Sequence, residues 1–185
     1  MYSTAEFRKG LRIEIDGKLW VIVEFQHVKP GKGGAFVRTK LKNLETGQVV
    51  EQTFRSGAKV DKPDFEEKFV QYLYQEGDQY VFMDNTTYDQ IYVSAENLGE
   101  AVNFMYPNIE VQVSYFNGKP IGVELPVSVV LEVTQTEPGV KGDTATGATK
   151  SATLETGFTV QVPLFINEGD KLKIDTRSGE YLERA

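Results

Sequence analysis

Few side chains in this 185-residue sequence could do chemistry. With no cysteine and one histidine, His27, it cannot build thiolate metal sites, cysteine nucleophiles or histidine clusters. A catalytic triad would rest on that single imidazole, with no nucleophile motif to serve it. Glu66 and Glu67 are adjacent, so on a strand they face opposite ways, which is poor geometry for paired carboxylates. The remaining candidate is a lysine in an unusual setting, Lys29-Pro30-Gly31-Lys32-Gly33-Gly34. Pro30 fixes its own φ and biases Lys29 towards extended geometry, while Gly31, Gly33 and Gly34 can supply the positive φ of a tight reversal. Lys32 is thereby pushed outward. A nucleotide-binding P-loop is excluded, because Lys32 is followed by Gly33 and a β-type run instead of Ser or Thr and a helix. The chain carries no sign of an active site, and a non-enzymatic role without cofactor or metal is expected.

Strand-like runs position this lysine. Leu19 to Val28 and Ala35 to Leu44 flank the loop, which makes it the tip of a hairpin. Before it, Leu11 to Ile15 alternates apolar and polar and Asp16-Gly17 supplies a two-residue reversal; after it, Glu45-Thr46-Gly47 turns into Val49 to Phe54. Short strands with regular turns predict a small β-barrel over residues 1–64. Residues 65–127 repeat strand and hairpin chemistry, with Asn117-Gly118 as a turn and one helix expected from Ser94, as N-cap, to Val102. The aromatics of this part are expected mostly in the barrel core. Residues 128–185 form a third strand-rich part, interrupted by a long polar loop from Pro138 to Thr149. No repeat with a solenoid period is present.

The net charge of −7 is unevenly spread: +4 up to Asp64, −8 from Phe65 to Val127 and −3 from Ser128 onward. No acid falls between Glu24 and Glu45, whereas Lys29, Lys32, Arg38, Lys40 and Lys42 all do. A basic surface on a hairpin suits phosphate contact. The N-terminus lacks a basic region followed by an apolar one, and no run approaches the length of a membrane helix. A cytoplasmic location, away from membranes, is expected.

Three stretches carry a family resemblance over essentially the whole chain. They are His27-Val28-Lys29-Pro30-Gly31-Lys32-Gly33 with Ala35 to Arg38; Lys150-Ser151-Ala152, Gly157, Val160, Val162-Pro163, Ile166 and Gly169; and Gly142-Asp143-Thr144 with the ending Asp175 to Arg184. In this order they resemble the bacterial elongation factor P family. The resemblance implies a mostly β fold: an SH3-like, KOW-type domain followed by two OB-folds in an L-shaped arrangement. It implies a monomer bound to both ribosomal subunits between the peptidyl and exit tRNA sites, relieving stalling at consecutive prolines. Lys32, set by Pro30, Gly31, Gly33 and Gly34, would reach along the acceptor end of peptidyl-tRNA. Lys29, Arg38, Lys40 and Lys42 would form the basic face towards tRNA or rRNA. Gly142, Asp143 and Thr144 match a loop near the exit-site codon, and Tyr181 and Arg184 match contacts to the anticodon-stem region and small subunit. In this family the tip residue is often lengthened by a modifying enzyme, and lysine in place of arginine excludes the rhamnosylated branch. The competing reading is a KOW/OB nucleic-acid-binding protein acting outside peptide-bond formation.

Overall fold

The computed structural model describes residues 1–139 and 148–185. The chain is mostly β and divides into two compact units, Met1–Glu67 with Ser114–Gly122, and Lys68–Val113 with Val123–Ala185.

In the first unit, β2 (Arg12–Ile15), β3 (Lys18–Val28), β4 (Phe36–Asn43) and β5 (Val49–Arg55) form an antiparallel sheet in sequence order, while β1 (Tyr2–Ser3) pairs with β6 (Lys59–Val60). Strand alternation explains the core. Ile13, Ile22, Val37, Leu41 and Phe54 point inward and pack with Phe7, Leu11 and Val60, and the Phe7 and Phe54 rings meet edge to face at 5.4 Å. Asp16 and Gly17 both take positive φ, 53° and 75°, the two-residue hairpin their identities predict. Arg12 is fixed on both sides, its Nη2 2.9 Å from Glu67 Oε1 and its guanidinium 4.5 Å from the centre of the Phe65 ring.

The middle sheet has the order β11-β10-β7-β8-β9, from β7 (Phe65–Glu76), β8 (Gln79–Asp84), β9 (Gln90–Ser94), β10 (Glu110–Phe116) and β11 (Lys119–Glu124). Asn117 and Gly118, between β10 and β11, repeat the left-handed pair at 52° and 78°. The expected helix starts where predicted, with the Ser94 hydroxyl accepting the Asn97 N–H at 3.4 Å. It is shorter than predicted. α1 spans only Ala95–Leu98, because Gly99 leaves helical geometry at φ 55°, and a 3-10 segment continues over Gly99–Phe104. The aromatics are also more divided than expected. Tyr72, Phe82, Phe104, Tyr115 and Phe116 are buried, whereas Phe69, Tyr74, Tyr88 and Tyr92 are exposed.

The last sheet has the order β14-β13-β12-β15-β16, from β12 (Ser128–Thr136), β13 (Thr149–Leu154), β14 (Thr159–Pro163), β15 (Lys171–Asp175) and β16 (Tyr181–Arg184). Its core is aliphatic, with Leu131, Leu154, Val162, Ile166, Leu172 and Ile174 fully buried. Within the second unit, Phe104 and Phe158 meet edge to face at 5.3 Å, and the Thr156 hydroxyl donates to the Asn103 carbonyl at 2.6 Å.

One six-residue turn recurs in the three larger sheets, at Asn43–Gln48, Asp84–Asp89 and Asp175–Glu180. In each, the first side-chain oxygen accepts the N–H groups of the third and fourth residues, at 2.8 and 3.0 Å, 2.7 and 3.2 Å, and 2.7 and 3.1 Å. The fourth residue's hydroxyl (Thr46, Thr87 or Ser178) accepts the N–H of the sixth. The N–H of the fifth donates back to the carbonyl of the first, so the fifth must be left-handed: Gly47 at 78°, Tyr88 at 64° and Gly179 at 77°. These donors hold the Asp84 and Asp175 carboxyls below their ordinary pKa; the leading contributors are the N–H groups of Thr86 and Thr87 for Asp84, and of Arg177 and Ser178 for Asp175.

Candidate functional site

The long strands β3 and β4 pair from Trp20 opposite Asn43 to Val28 opposite Phe36, leaving residues 29–35 as the loop at their end. A bulge between Ile22 and Glu24 adds local twist to β3. Lys29, Pro30, Gly31, Lys32, Gly33 and Gly34 are all exposed. Gly33, at φ 95°, is the one glycine of the loop in left-handed geometry, where three could have been; a Cβ on Gly31, Gly33 or Gly34 would meet nothing within 4 Å. The loop is thus turned by Pro30 and Gly33, and Lys32 sits between them on open ground. Such a tip can extend a cation into a narrow space with little to reorganise on the way.

On β4 the alternation puts Arg38, Lys40 and Lys42 on the outer face and Val37, Thr39, Leu41 and Asn43 inside. Cross-strand register divides this face. Lys40 stands opposite Glu24 on β3 and Glu51 on β5, so a carboxylate lies on each side of it. Arg38 lies between Gln26 and Thr53, and Arg55 stands opposite Phe36, one step nearer the tip on the same face. Lys42, exposed beyond Lys40, stands opposite the uncharged Val21 and Val49, so the face of one sign expected from the spacing is interrupted at Lys40, with Lys29, Lys32, Arg38 and Arg55 on the loop side and Lys42 on the other. Arg55 escaped the sequence reading because only strand pairing brings it to this face.

At the far end of the chain, Tyr181 is partly buried opposite Ile174, and Arg184 stands opposite Leu172. Arg184 Nη1 lies 4.0 Å from Asp170 Oδ2, and its guanidinium is 5.4 Å from the centre of the exposed Phe165 ring. The same Asp170 oxygen accepts the Asn167 N–H at 2.8 Å, which fixes the carboxylate that steadies Arg184. Gly142, Asp143 and Thr144 lie outside the described residues. Among the described residues no three His, Cys, Asp or Glu side chains cluster as a metal site, and no helix is long and apolar enough to cross a membrane.

Three family models match in succession along the chain: the elongation factor P KOW-like domain over residues 3–60, the elongation factor P OB domain over 65–123 and the elongation factor P C-terminal domain over 129–184. The chain is 60% identical over 184 residues to elongation factor P of Maridesulfovibrio salexigens, covering 100% of this chain and 99% of that protein. It is 57% identical over 185 residues to elongation factor P of Moorella thermoacetica, with 100% of both covered. Among solved structures it resembles a protein described as eukaryotic translation initiation factor 5A from Methanococcus jannaschii. That match has a TM-score of 0.54 and 26% identity, over 64% of this chain and 88% of the other. A KOW-like domain, an OB domain and a C-terminal domain matched in this order, with these relatives, define the class: a translation factor. Within that class, the chain belongs to the elongation factor P family.

Proposed function

We propose that this protein binds the ribosome between the peptidyl and exit tRNA sites and stimulates peptide-bond formation, relieving stalling at consecutive prolines. Three domains, 1–64, 65–127 and 128–185, would divide the work. The first would lie along the acceptor end of peptidyl-tRNA, and the last would approach the small subunit through Tyr181, Arg184 and the segment that contains Gly142, Asp143 and Thr144. The observation that carries the reading is the exposed Lys32 on a loop turned by Pro30 and Gly33, with basic charge gathered just below it.

The mechanism is positional. Proline is a poor nucleophile and a constrained donor, and holding the acceptor end in reactive geometry can supply several kcal/mol, up to about 7 to 11 in ideal cases. The protein itself transfers no group; the ribosome makes the bond. Lys32 supplies a cation at the end of a flexible stem, and a lysine-directed enzyme that lengthens it would add reach. Lys29, Arg38 and Arg55 contact phosphate, with Lys40 and Lys42 further from the tip. The protein acts as a monomer in the cytoplasm, without a cofactor.

The test is full-length yield from a reporter carrying consecutive prolines, against a control without them, in cells lacking the factor. Lys32→Ala is expected to lose most of the rescue with an unchanged melting temperature, because an exposed tip side chain buries little. Lys32→Arg is expected to fail nearly as badly, since a planar guanidinium is not a substrate for a lysine-directed enzyme. Full rescue by Lys32→Ala would refute the role of the tip. Binding to ribosomes carrying peptidyl-tRNA should weaken as salt rises, through release of counterions from the phosphates; a flat response would favour a role away from nucleic acid.

A further inference from the structure

One pocket of the first unit is lined by cations and aromatic rings and by no acid. It has a volume of about 190 Å³, and Arg8, Arg12 and Lys62 stand on its wall with Tyr2 and Phe65. Local structure fixes each of them. Arg8 opens a turn in which the Leu11 N–H donates to the Arg8 carbonyl at 3.2 Å, with Gly10 at φ 85°. Arg12 is the first residue of β2, and the pairing of β1 with β6 sets Tyr2 opposite Val60, two residues before Lys62. Arg12 stands opposite Val21, seven residues along β3 from Val28, so roughly 20 Å of strand separates this pocket from the hairpin loop.

Two of the three cations are held by rings. The Arg12 guanidinium lies 4.5 Å from the centre of the Phe65 ring, and Lys62 Nζ lies 6.0 Å from the centre of the Tyr2 ring. An aromatic face orients a cation without cancelling its charge, as a carboxylate would. Glu67 Oε1 meets Arg12 Nη2 at 2.9 Å, while Arg12 Nε is buried and has no acceptor among the described residues. Arg8 and Lys62 form no ion pair among the described residues. Asp61 and Asp64, which flank Lys62 at one and two residues' distance in sequence, are not on the wall. In a chain of net charge −7, three cations thus converge on one recess with their charge largely uncompensated.

We propose that this pocket holds the phosphate or pyrophosphate group of a small phosphorylated molecule. Guanidinium groups take phosphate oxygens through paired donors, and a lysine beside them adds a point charge. The volume sets the size of what enters. Sites that enclose a whole drug-sized ligand or cofactor begin at about 300 Å³, so this one admits the anionic group and leaves the rest of the molecule outside. An RNA backbone carries its phosphates on a convex surface, which suits the open face of β4 better than a recess walled by Tyr2 and Phe65. The inference is independent of the ribosome binding proposed above.

Titration calorimetry of the full chain with inorganic pyrophosphate and with inorganic phosphate tests this, at about physiological ionic strength and without divalent metal, alongside amide NMR shifts. One saturable site is expected, tighter for pyrophosphate, with shift changes gathered at residues 2, 8–12 and 62–65. Arg8→Gln and Lys62→Gln are each expected to weaken pyrophosphate binding by about tenfold, the scale of one charge-assisted hydrogen bond. Their own melting temperatures should stay unchanged, since neither side chain has an ion pair to lose. Lys18→Gln, which removes an exposed cation elsewhere in the first barrel, is expected to bind as the wild type does. Pyrophosphate should raise the melting temperature of the wild type, and sodium chloride at equal ionic strength should not. Absence of saturable binding, equal weakening in all three variants, or shift changes centred on Lys29 to Arg38 would overturn the site. Loss of ribosome binding in Arg8→Gln and Lys62→Gln, with no saturable binding of either free anion, would give the pocket to RNA and overturn it too. Failure of pyrophosphate to bind leaves the role of the hairpin tip standing, because that role is tested separately by Lys32→Ala.

Discussion

The three copies of one turn allow the cost of a left-handed residue to be measured three times within one protein. An L-residue in that geometry costs about 1–2 kcal/mol, and replacing it with glycine returns about 0.5–1 kcal/mol of this as extra entropy of the unfolded chain. Tyr88→Gly should therefore stabilise the protein by about 0.5 kcal/mol, since the exposed ring buries little that truncation could lose. Gly47→Ala runs the same exchange in reverse. Its new Cβ would meet nothing within 4 Å, so only the backbone is strained, and a loss of about 1 kcal/mol is expected. Gly179→Ala adds crowding, because its Cβ would lie 3.2 Å from Phe158 Cζ and 3.7 Å from Phe104 Cζ, both in the aromatic contact inside the second unit. Overpacking raises the expected loss to about 2 kcal/mol. Urea unfolding at constant slope reads the order directly, and each kcal/mol moves the melting temperature by about 2–4 °C in a chain of this size. Equal losses at Gly47 and Gly179, or destabilisation by Tyr88→Gly, would refute the account of the turn.

The same turns predict the response to acid. Asp84 and Asp175 have folded pKa values below their unfolded ones, so their contribution is complete above the ordinary aspartate pKa and is lost as pH falls through the depressed value. Asn43 fills the same position without charge, so Asp84→Asn with Asp175→Asn should keep the turns and flatten the acid limb of stability; an unchanged limb in the double variant would count against these two carboxylates. At the hairpin tip, Gly33→Ala should impair rescue of proline runs more than Gly31→Ala, because only Gly33 has positive φ; equal rescue by the two would show that the tip's shape is immaterial. In the first barrel Leu41→Ala should cost about 2–5 kcal/mol, read by urea unfolding, since Leu41 is fully buried on the inner face of β4.

Features set by neighbours in sequence were legible, and those set by pairing across the sheets were not. Asp16-Gly17 and Asn117-Gly118 announce their turns because both positions need positive φ and these residues tolerate it. Ser94 announces a helix start, but the stop came from Gly99, which apolar spacing alone passes over. The recurring turn was within reach of the sequence as Asn43 with Thr46, Asp84 with Thr87 and Asp175 with Ser178; Tyr88 in place of glycine hid it.

Charge is the clearest case of what strand pairing decides. Read along the chain, residues 25–44 hold five cations and no acid. Across the sheet, Lys40 has Glu24 and Glu51 as its lateral neighbours, and at strand spacing such charges largely cancel as seen by a distant phosphate. Nearer the loop the neighbours of Arg38 are the uncharged Gln26 and Thr53, and Arg55 adds a cation from a strand beyond the sequence window. Pairing thus offsets the charge at Lys40, in the middle of the hairpin, and leaves Arg38 and Arg55 as cations on the loop side, nearer Lys32, with Lys42 beyond Lys40, between Val21 and Val49. On the function proposed above, a flexible lysine entering a tRNA-lined space would gain more from attraction at the tip, where it guides entry, than along the shaft, where it would hold the hairpin sideways against RNA.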